Sequence, residues 1–375
     1  MRSLHWKLSR EIKRLIEKPK NIRDLIFGPS MQRNFDRLEN SVKHQGKGQC
    51  FPDVAILLLY APEGVPDDYY RMLDYLESNN VTSVIVSQLS LDKRDLQKLA
   101  SKAHLIIERP NFGYDFGGYR EGILTVLDMG YKLRNLFVVN DSVWFPMRSD
   151  SDLIEVARQD PSDVYGIYLN DQRKKAHQHH LQSYFYRFGS DLCQHSDFET
   201  YWRDLVTYNN KDLTVRHNEM KLTNWFRSRG YQIGCKYDTA DLKQVLLELT
   251  ISERNALAEY QILIGDKYAG HVRKKLTANA YADDATYASD VEAGILGRYF
   301  LISHPAVLVD KLKCPVLKRD KKYPYQIQRS VLLTETCSEN LAPTLLQEMS
   351  IAINVKQLKT NVSRLAFTPK SEKHF

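Results

Sequence analysis

The segment RPNFGYDFGGYREG, residues 109–122, places four glycines and an aspartate where a predicted strand gives way to a predicted helix. Glycine allows a ligand to approach the backbone closely, and the N–H groups at a helix N-terminus can bind a diphosphate. Asp115 could accept hydrogen bonds from a ribose or a base. The segment predicts a nucleotide-binding turn, and a tight turn with helix-packing glycines is the alternative. It has neither the P-loop nor the GxGxxG spacing.

A second segment, NDSVWFP at residues 140–146, follows a strongly apolar predicted strand. At the ligand-bearing edge of a sheet, the Asp141 carboxylate could hold Mg²⁺ or Mn²⁺ against the two phosphates of a nucleotide sugar. The alternative is an Asx-type turn in which Asp141 or Ser142 caps a helix.

The third segment, residues 217–234, predicts a helix with Glu219 near its start, an end at Gly230 and a short strand after it. A carboxylate facing the site could act as general base on an acceptor hydroxyl. Capping of the helix N-terminus would place a glutamate at the same position, so both interpretations stay open.

A polar stretch with three histidines, His177, His179 and His180, lies between the second and third segments. Their spacing matches no standard zinc site, and contact with a sugar or phosphate is the favoured interpretation. The following residues Gln182, Ser183 and Tyr184 offer hydrogen bonds and an aromatic face that suit a sugar ring. We therefore predict acceptor contacts for a set of neighbours in this stretch: His180, Gln182, Ser183 and Tyr184.

The elements that must position these residues begin at residue 53, where short apolar runs alternate with helical patterns, as is typical of βαβ units. The predicted strands are 54–61, 81–89, 104–108 and 135–140, and the predicted helices are 69–78, 92–102 and one ending near 129. Right-handed crossovers bring the carboxyl ends of parallel strands to one edge of the sheet, where open α/β sheets bind ligands.

The amino-acid composition excludes several classes of protein. The 375 residues are 43% hydrophobic and 26% charged, which is ordinary for a globular chain. Five cysteines without a CxxC pair suggest neither a disulfide framework nor a zinc ribbon, so we expect a reducing, cytoplasmic location. No run approaches the roughly 18 apolar residues that span a bilayer, and no signal peptide is evident.

The net charge of +7 is concentrated at the N-terminus, where residues 1–50 carry 12 Lys and Arg against 5 Asp and Glu. A basic leading segment suggests a local contact, not nucleic-acid binding by the core. Apolar residues from Leu4 to Ile16 share one helical face, which predicts either an interfacial helix on anionic lipid or a helix packed on protein. Pro19 and Pro29 predict that this helix ends and that a linker runs to about Gln49.

Four motifs in this order, NFGYDFGGYREG, LFVVNDSVWFP, HHLQSYFYRF and NEMKLTNWFRSRGY, resemble the rhamnan synthesis protein F family of bacterial polysaccharide glycosyltransferases. The resemblance covers roughly residues 53–325. It implies an α/β fold with a GT-A-like, Rossmann-type nucleotide-sugar-binding core, a mostly parallel sheet, and helical N- and C-terminal extensions. The expected domains are an extension at 1–50, the transferase at 51–330 and a tail at 331–375.

The resemblance also implies an activity, namely transfer of a sugar, typically from dTDP-rhamnose, to a growing cell-surface glycan on a lipid carrier, with Mg²⁺ or Mn²⁺ at Asp141. It is similar in layout to family-2 glycosyltransferases, with residues 140–142 where a DxD motif would stand and Asn218–Glu219 where an ED dipeptide would. Only one carboxylate remains in the first motif. The donor-binding residues implied are Asn111, Gly113, Asp115, Gly117, Gly118, Asn140 and Ser142.

Two other classes of protein remain as alternatives. A non-catalytic glycan- or nucleotide-binding subunit of a polysaccharide-assembly complex could keep the fold after losing the second carboxylate. A nicotinamide-dependent oxidoreductase would share the Rossmann-like pattern, but the glycine fingerprint and its following acidic residue are missing.

Overall fold

The computed structural model describes residues 2–38, 40–172, 176–265, 267–277, 283–335 and 341–351, without the side chains of residues up to 18 and of residues 267–269, 276–277, 284 and 335. Its contacts divide the chain into two compact units, the first Met1–Asp141 with Asp152–Asp238 and the second Ser142–Ser151 with Thr239–Phe375. This division runs through the predicted domain 51–330, whose boundaries remain a prediction.

The strands, in chain order, are β1 Val42–Gln45, β2 Asp53–Leu59, β3 Val81–Ser87, β4 Leu105–Glu108, β5 Asn135–Val139, β6 Val143–Trp144, β7 Val164–Asn170, β8 His180–Leu181, β9 Phe185–Gly189, β10 Ile233–Tyr237 and β11 Leu317–Lys318. The helices of the first unit are α1 Arg2–Arg37, α2 Asp67–Ser78, α3 Lys93–Ala100, α4 Tyr114–Asp128, α5 Leu153–Gln159, α6 Ser190–Gln194, α7 Ser196–Asp204, α8 Lys211–Thr214 and α9 Met220–Arg227. Those of the second unit are α10 Thr239–Leu247, α11 Ile251–Leu263, α12 Lys267–Thr277, α13 Asp284–Leu296, α14 Tyr323–Glu335 and α15 Pro343–Ile351.

One large sheet organises the first unit, with the strand order β1-β4-β3-β2-β5-β9-β7-β10 and β8 paired to β7. The four strands predicted from the sequence form one run of parallel strands, β4-β3-β2-β5, and β7 and β10 make a further parallel pair. The mostly parallel α/β class is therefore confirmed. Antiparallel pairing of β1, β8 and β9 was not predicted.

The connections make a crevice between β2 and β5. From β2 the chain moves through α2 to β3 on one side, whereas β5 lies on the other side of β2. Open α/β sheets bind ligands at such a switch point, outside the carboxyl ends of the strands. All seven residues of β2 are buried, which fits a central parallel strand covered on both faces.

Helix α1 corrects one prediction, because it continues through Pro19 and Pro29 to Arg37 instead of giving way to a linker. Tertiary contacts outweigh the backbone hydrogen bonds that the prolines remove. The side-chain oxygen Oε1 of Gln32 accepts a hydrogen bond from the Thr207 N–H at 3.2 Å. Asp36 pairs with Arg120 at 2.8 Å. The predicted apolar face at Leu4–Ile16 lies outside the described side chains.

The buried carboxylate of Asp53 links the amino ends of the central strands β2 and β5 by hydrogen bonds. Asp53, at the start of β2, is wholly buried and accepts hydrogen bonds from Arg134 at 2.9 Å, Asn135 at 3.0 Å and Arg158 at 2.6 Å. Burial alone would raise the pKa of Asp53, but these hydrogen bonds outweigh it and lower the pKa below its usual value.

Asp53→Ala is expected to lower the free energy of unfolding by about 2 kcal/mol at pH 7, measured by urea denaturation. The loss is smaller than for a fully buried pair because the Arg134 side chain is 57% exposed. Since the folded pKa is depressed, this stability is present above the unfolded pKa of about 4 and is lost as pH falls through the folded pKa. Asp74→Ala, at an exposed ion pair, is the control. Equal losses for the two variants would contradict the prediction.

The second unit is mainly helical and includes the two-stranded pair β6–β11. Its core includes Tyr260, Ile264, Ile302, Ile327 and Val331. Helix α15 falls within the predicted tail 331–375, whose last residues, 352–375, lie outside the described part. Among the described helices, none combines the length and apolar character needed to cross a membrane.

Candidate functional site

Asp141 lies at the switch point of the sheet, two residues after the end of β5. Its Oδ2 accepts a hydrogen bond from the backbone N–H of Tyr60, the residue after β2, at 2.5 Å. The next element is strand β6, so Asp141 does not cap a helix. The side chain therefore spans the carboxyl ends of the two strands that border the crevice.

Asn140 connects this edge to helix α4. It is buried, and its Nδ2 donates to the Tyr119 hydroxyl at 3.0 Å. The Tyr119 hydroxyl in turn donates to the Ser183 carbonyl at 2.7 Å. Burial, with the charges of Asp115 and Asp141, raises the pKa of Tyr119 well above its usual value, so the hydroxyl stays protonated and can donate.

Glu219 contacts the backbone of the same residue, Ser183. The Ser183 N–H donates a hydrogen bond to Glu219 Oε1 at 3.4 Å. Glu219 ends a π-helical turn, Val215–Glu219, that continues without a break from α8 into α9. Its side chain makes no capping hydrogen bond, which removes the capping interpretation. π-Helical turns inside helices are frequent at functional sites.

Ser183 lies in the turn between β8 and β9, and α9 holds that turn in place. The Leu181 N–H of β8 donates to Thr223 Oγ1 on α9 at 2.9 Å. Strand β8 also pairs with β7, so the turn is tied to the sheet and to the helix that follows Glu219. This explains how residues far apart in the chain meet at one backbone unit.

The charges of Asp115 and Glu219 both act on a buried residue, Tyr186 on β9. Burial raises the pKa of Tyr186 well above its usual value, and the charges of Glu219 and Asp115 raise it further. The charges of Asp115 and Asp141 act on Tyr119 in the same way. The structure thus gathers the three predicted acidic residues around Tyr119, Ser183 and Tyr186.

The glycines of the first segment all have a packing reason. Gly113 precedes α4 with a left-handed φ of 81°. A Cβ at Gly117 would overlap the carbonyl of Phe112, and one at Gly118 or Gly122 would overlap side chains of β2. These contacts are the turn and helix–sheet packing of the alternative interpretation, and donor contacts by Gly113, Gly117 and Gly118 stay a prediction.

The remaining predicted residues are not all gathered at this site. Asn111 is exposed, and Ser142 belongs to the second unit, where its hydroxyl accepts a hydrogen bond from Lys318 Nζ at 2.7 Å. Three of the four predicted acceptor contacts lie inside the fold, at 4% exposure or less: His180, Gln182 and Tyr184. Ser183, which is partly exposed, is the member of that set positioned beside Glu219.

Sequence reasoning missed Tyr119 and Tyr186. A signal existed for Tyr119, which lies four residues after Asp115 and so on the same face of α4. Tyr186 carried no signal, because an aromatic residue in a strand is explained by the core alone.

The predicted cation can be tested against the donor set. Among the described residues, no group of three or more His, Cys, Asp and Glu side chains could hold a metal ion. Mg²⁺ needs no such group, since it is often bound through one or two carboxylates together with substrate phosphates and waters. Asp141 fits that single-carboxylate mode.

A cleft of about 610 Å³ lies elsewhere in the first unit, where the central strands begin. The arginines that line this cleft make contacts that stabilise the fold. Arg158 pairs with the buried Asp53, and Arg187 donates to the carbonyls of Ala157, Asp160 and Ser162. We therefore place the candidate site at the opposite, carboxyl-end edge of the sheet.

Comparison with known proteins gives a family match. Residues 83–287 match the family described as rhamnan synthesis protein F. Uncharacterized protein y4gN of Sinorhizobium fredii is 35% identical over 331 residues, which are 87% of this chain and 86% of that protein. Virulence protein VirA of Vibrio anguillarum is 27% identical over 225 residues, which are 58% of this chain and 67% of that protein.

Among solved structures, the mannosyltransferase PcManGT from Pyrobaculum calidifontis, in complex with GDP-Man and Mn²⁺, aligns with 89% of this chain and 94% of its own. The identity is 13% and the TM-score 0.31, too low to support any conclusion about this chain.

Proposed function

Because this chain belongs to the rhamnan synthesis protein F family, we propose that it is a glycosyltransferase that moves a sugar from a nucleotide-activated donor to a glycan. The donor we propose is dTDP-rhamnose, and the acceptor is a growing, lipid-linked cell-surface polysaccharide. The observation that carries the proposal is the hydrogen-bonded series from Glu219 through Ser183 and Tyr119 to Asn140, beside Asp141.

In the proposed reaction Glu219 is the general base. It takes the proton of an acceptor hydroxyl, whose oxygen then attacks the anomeric carbon of the donor. The bond from that carbon to the diphosphate oxygen breaks, and the nucleoside diphosphate leaves with the bonding electrons. A single displacement of this kind inverts the anomeric configuration.

The donor lies at the β2–β5 crevice in this proposal. Asp115, in the first turn of α4, accepts hydrogen bonds from the ribose or base, and Asp141 would hold Mg²⁺ or Mn²⁺. The cation, when bound, would neutralise charge on the diphosphate. Tyr119 keeps Asn140 and the Ser183 carbonyl in place, and it stays protonated because its pKa is raised by burial and by Asp115.

A donor screen tests the proposal. The purified chain is heated with each of several nucleotide sugars, including dTDP-rhamnose, UDP-glucose and GDP-mannose, with and without Mn²⁺, and hydrolysis of each donor is followed in parallel. At least one nucleotide should raise the Tm, because a ligand that binds only the folded state stabilises it. If no nucleotide changes the Tm and no donor is hydrolysed, the chain is not a transferase of this class.

We also propose that α1 brings the protein to the inner membrane, since residues 1–50 carry an excess of seven positive charges. Ile22, Leu25 and Ile26 form an apolar face on α1, with exposures of 58%, 41% and 65%. Basic residues beside an apolar helical face bind anionic lipid surfaces.

The double variant Ile22→Ser, Ile26→Ser should float several-fold less with phosphatidylglycerol vesicles than the wild type in a density gradient. Met129→Ser, at an exposed apolar residue on the loop after α4, is the matched control. Undiminished flotation of the double variant would argue against membrane attachment through α1.

A further inference from the structure

The turn at residues 109–114, which we call the donor turn, has two consecutive residues in the left-handed region of backbone conformation. Gly113 has a φ of 81° and Tyr114 a φ of 50°. Glycine adopts such angles without steric cost, but a bulky residue adopts them only where its surroundings impose them. Backbone strain of this kind is concentrated at ligand-binding sites. The contacts that impose this conformation are therefore part of how the donor turn would bind a ligand.

The sheet holds the two ends of the donor turn. Gln88, the residue after β3, is buried, and its Nε2 donates a hydrogen bond to the Tyr114 carbonyl at 2.7 Å. The Arg109 N–H donates to the carbonyl of Ser87, the last residue of β3, at 2.9 Å. Residues 110–113, between these two anchors, pass close to a different part of the chain.

That part is helix α1, which contacts the donor turn through Phe35. The Phe35 ring stacks on the Phe112 ring, with their centroids 4.7 Å apart and their planes 14° apart. The Arg109 guanidinium lies 4.9 Å from the centroid of the Phe35 ring, which is a cation–π distance. The same guanidinium donates to the Phe112 carbonyl at 2.9 Å. Phe35 thus contacts two residues of the donor turn that are also bonded to each other.

The Arg109 side chain keeps its charge in this arrangement. It is 4% exposed, and burial lowers the pKa of Arg109 to about 10. A group with that pKa is still protonated at neutral pH. The cation–π contact with Phe35 is therefore made by a charged and largely desolvated guanidinium, the condition in which such contacts are strongest.

Helix α1 also supports Gly113, through Thr207. Gln32 Oε1 accepts hydrogen bonds from the Thr207 N–H at 3.2 Å and from the Thr207 hydroxyl. A Cβ at Gly113 would overlap the Thr207 side chain, so these two residues are in close contact. Gly28 allows α1 to approach this segment, because a Cβ there would overlap the Tyr208 ring. The same face of α1 therefore reaches the donor turn at two points.

We propose that α1 holds the donor turn in the conformation that binds the nucleotide, and that Phe35 is a positioning residue for donor binding. Phe35 acts through Phe112 and Arg109 and does not itself touch the donor. Without the ring, the donor turn is in the competent conformation for only a fraction of the time, and the apparent affinity falls by that fraction. The inference rests on the proposed transferase function, which supplies the donor.

Three variants of α1 test the role of Phe35. Phe35→Leu removes the ring and keeps an apolar residue that favours a helix. Phe35→Tyr keeps the ring and should restore the wild-type behaviour. Asp24→Ala is the matched control, because Asp24 lies three turns earlier on the same face of α1, where it accepts a hydrogen bond from Asn210 at 2.9 Å. It weakens the packing of α1 away from the donor turn.

Affinities for dTDP, UDP and GDP are measured by isothermal titration without vesicles, and donor hydrolysis gives kcat and KM. Phe35→Leu should raise the dissociation constant of the bound nucleotide and the KM for its sugar about tenfold, with kcat within about twofold, because binding alone is affected. Phe35→Tyr and Asp24→Ala should stay within about twofold of the wild type. Unchanged affinity in Phe35→Leu, or an equal loss in Phe35→Tyr or Asp24→Ala, overturns the proposal.

Hydrogen–deuterium exchange measures the donor turn without any ligand. In Phe35→Leu its amides, such as the Phe112 N–H that donates to the Pro110 carbonyl at 2.8 Å, should exchange several-fold faster than in the wild type. The amides of β10, at the other edge of the sheet, should exchange at the wild-type rate. Unchanged exchange in the donor turn overturns the positioning role of Phe35.

The wild type separates failure of this inference from failure of the proposed function. If the wild type binds no nucleotide, the transferase function and the donor role of Phe35 both fall. If it binds a nucleotide and Phe35→Leu binds it equally well, the positioning role alone falls, and the proposed function stands.

Discussion

Replacing Glu219 by glutamine is expected to lower kcat for sugar transfer by about 10² to 10⁴, the range for loss of a general base. Glutamine keeps the size of the side chain, and its Oε1 can still accept the Ser183 N–H that Glu219 accepts at 3.4 Å. The fold and the affinity for the donor should therefore be preserved. The measurement is steady-state transfer, with the nucleotide dissociation constant determined separately by titration.

Asp212→Asn is the control for Glu219→Gln. Asp212 is an exposed acid on α8, in the same continuous helical segment, and its replacement should leave kcat within about twofold. Full activity of Glu219→Gln would exclude it as the base. Loss of donor affinity in proportion to kcat would mean that Glu219 acts by holding the Ser183 turn.

Asp141→Asn should lower kcat/KM for the donor by about 10² to 10³, the usual loss when one electrostatic contact to a developing charge is removed. An asparagine oxygen can still accept the Tyr60 N–H, so the bridge between the ends of β2 and β5 is kept. The charge alone is removed. We expect the Mn²⁺ concentration for half-maximal activity to rise as well, because a neutral amide is a weaker ligand than a carboxylate.

Asp128→Asn provides the comparison for Asp141→Asn. Asp128 lies at the end of α4 with an exposed ion pair to Arg203, and its loss should change activity little. If Asp141→Asn keeps more than half of the activity at every Mn²⁺ concentration, the carboxylate has no role in donor binding. The single acidic residue of this motif would then be structural.

The parallel part of the fold was predictable because strands β2 to β5 are local, continuous apolar runs separated by helical patterns. Observed strands such as Asp53–Leu59 and Val81–Ser87 start within one residue of the predicted ones. A strand that is buried on both faces of the sheet needs a continuous apolar run, so the sequence of each strand alone is enough to predict it. The antiparallel strands β1 and β9 were missed, since their pairing depends on partners far away in the chain.

The end of α1 was predicted wrongly for a related reason. Proline is a strong local signal to stop a helix, but Gln32 and Asp36 are held by Thr207 and Arg120, residues that lie far along the sequence. Contacts at that separation can stabilise a helix against its own local preference, and no window of sequence contains them.

The same distinction between local and long-range information applies to the candidate site. Residue types, and the order in which strands and turns follow one another, were enough to single out Asp115, Asp141 and Glu219, because the ends of buried strands and the starts of helices are local features. Only the tertiary structure decided that these three meet around Tyr119, Ser183 and Tyr186, and that His180, Gln182 and Tyr184 turn inward. The physical reason is that a side chain's neighbours across a sheet are set by strand order and helix packing, which are properties of the whole chain.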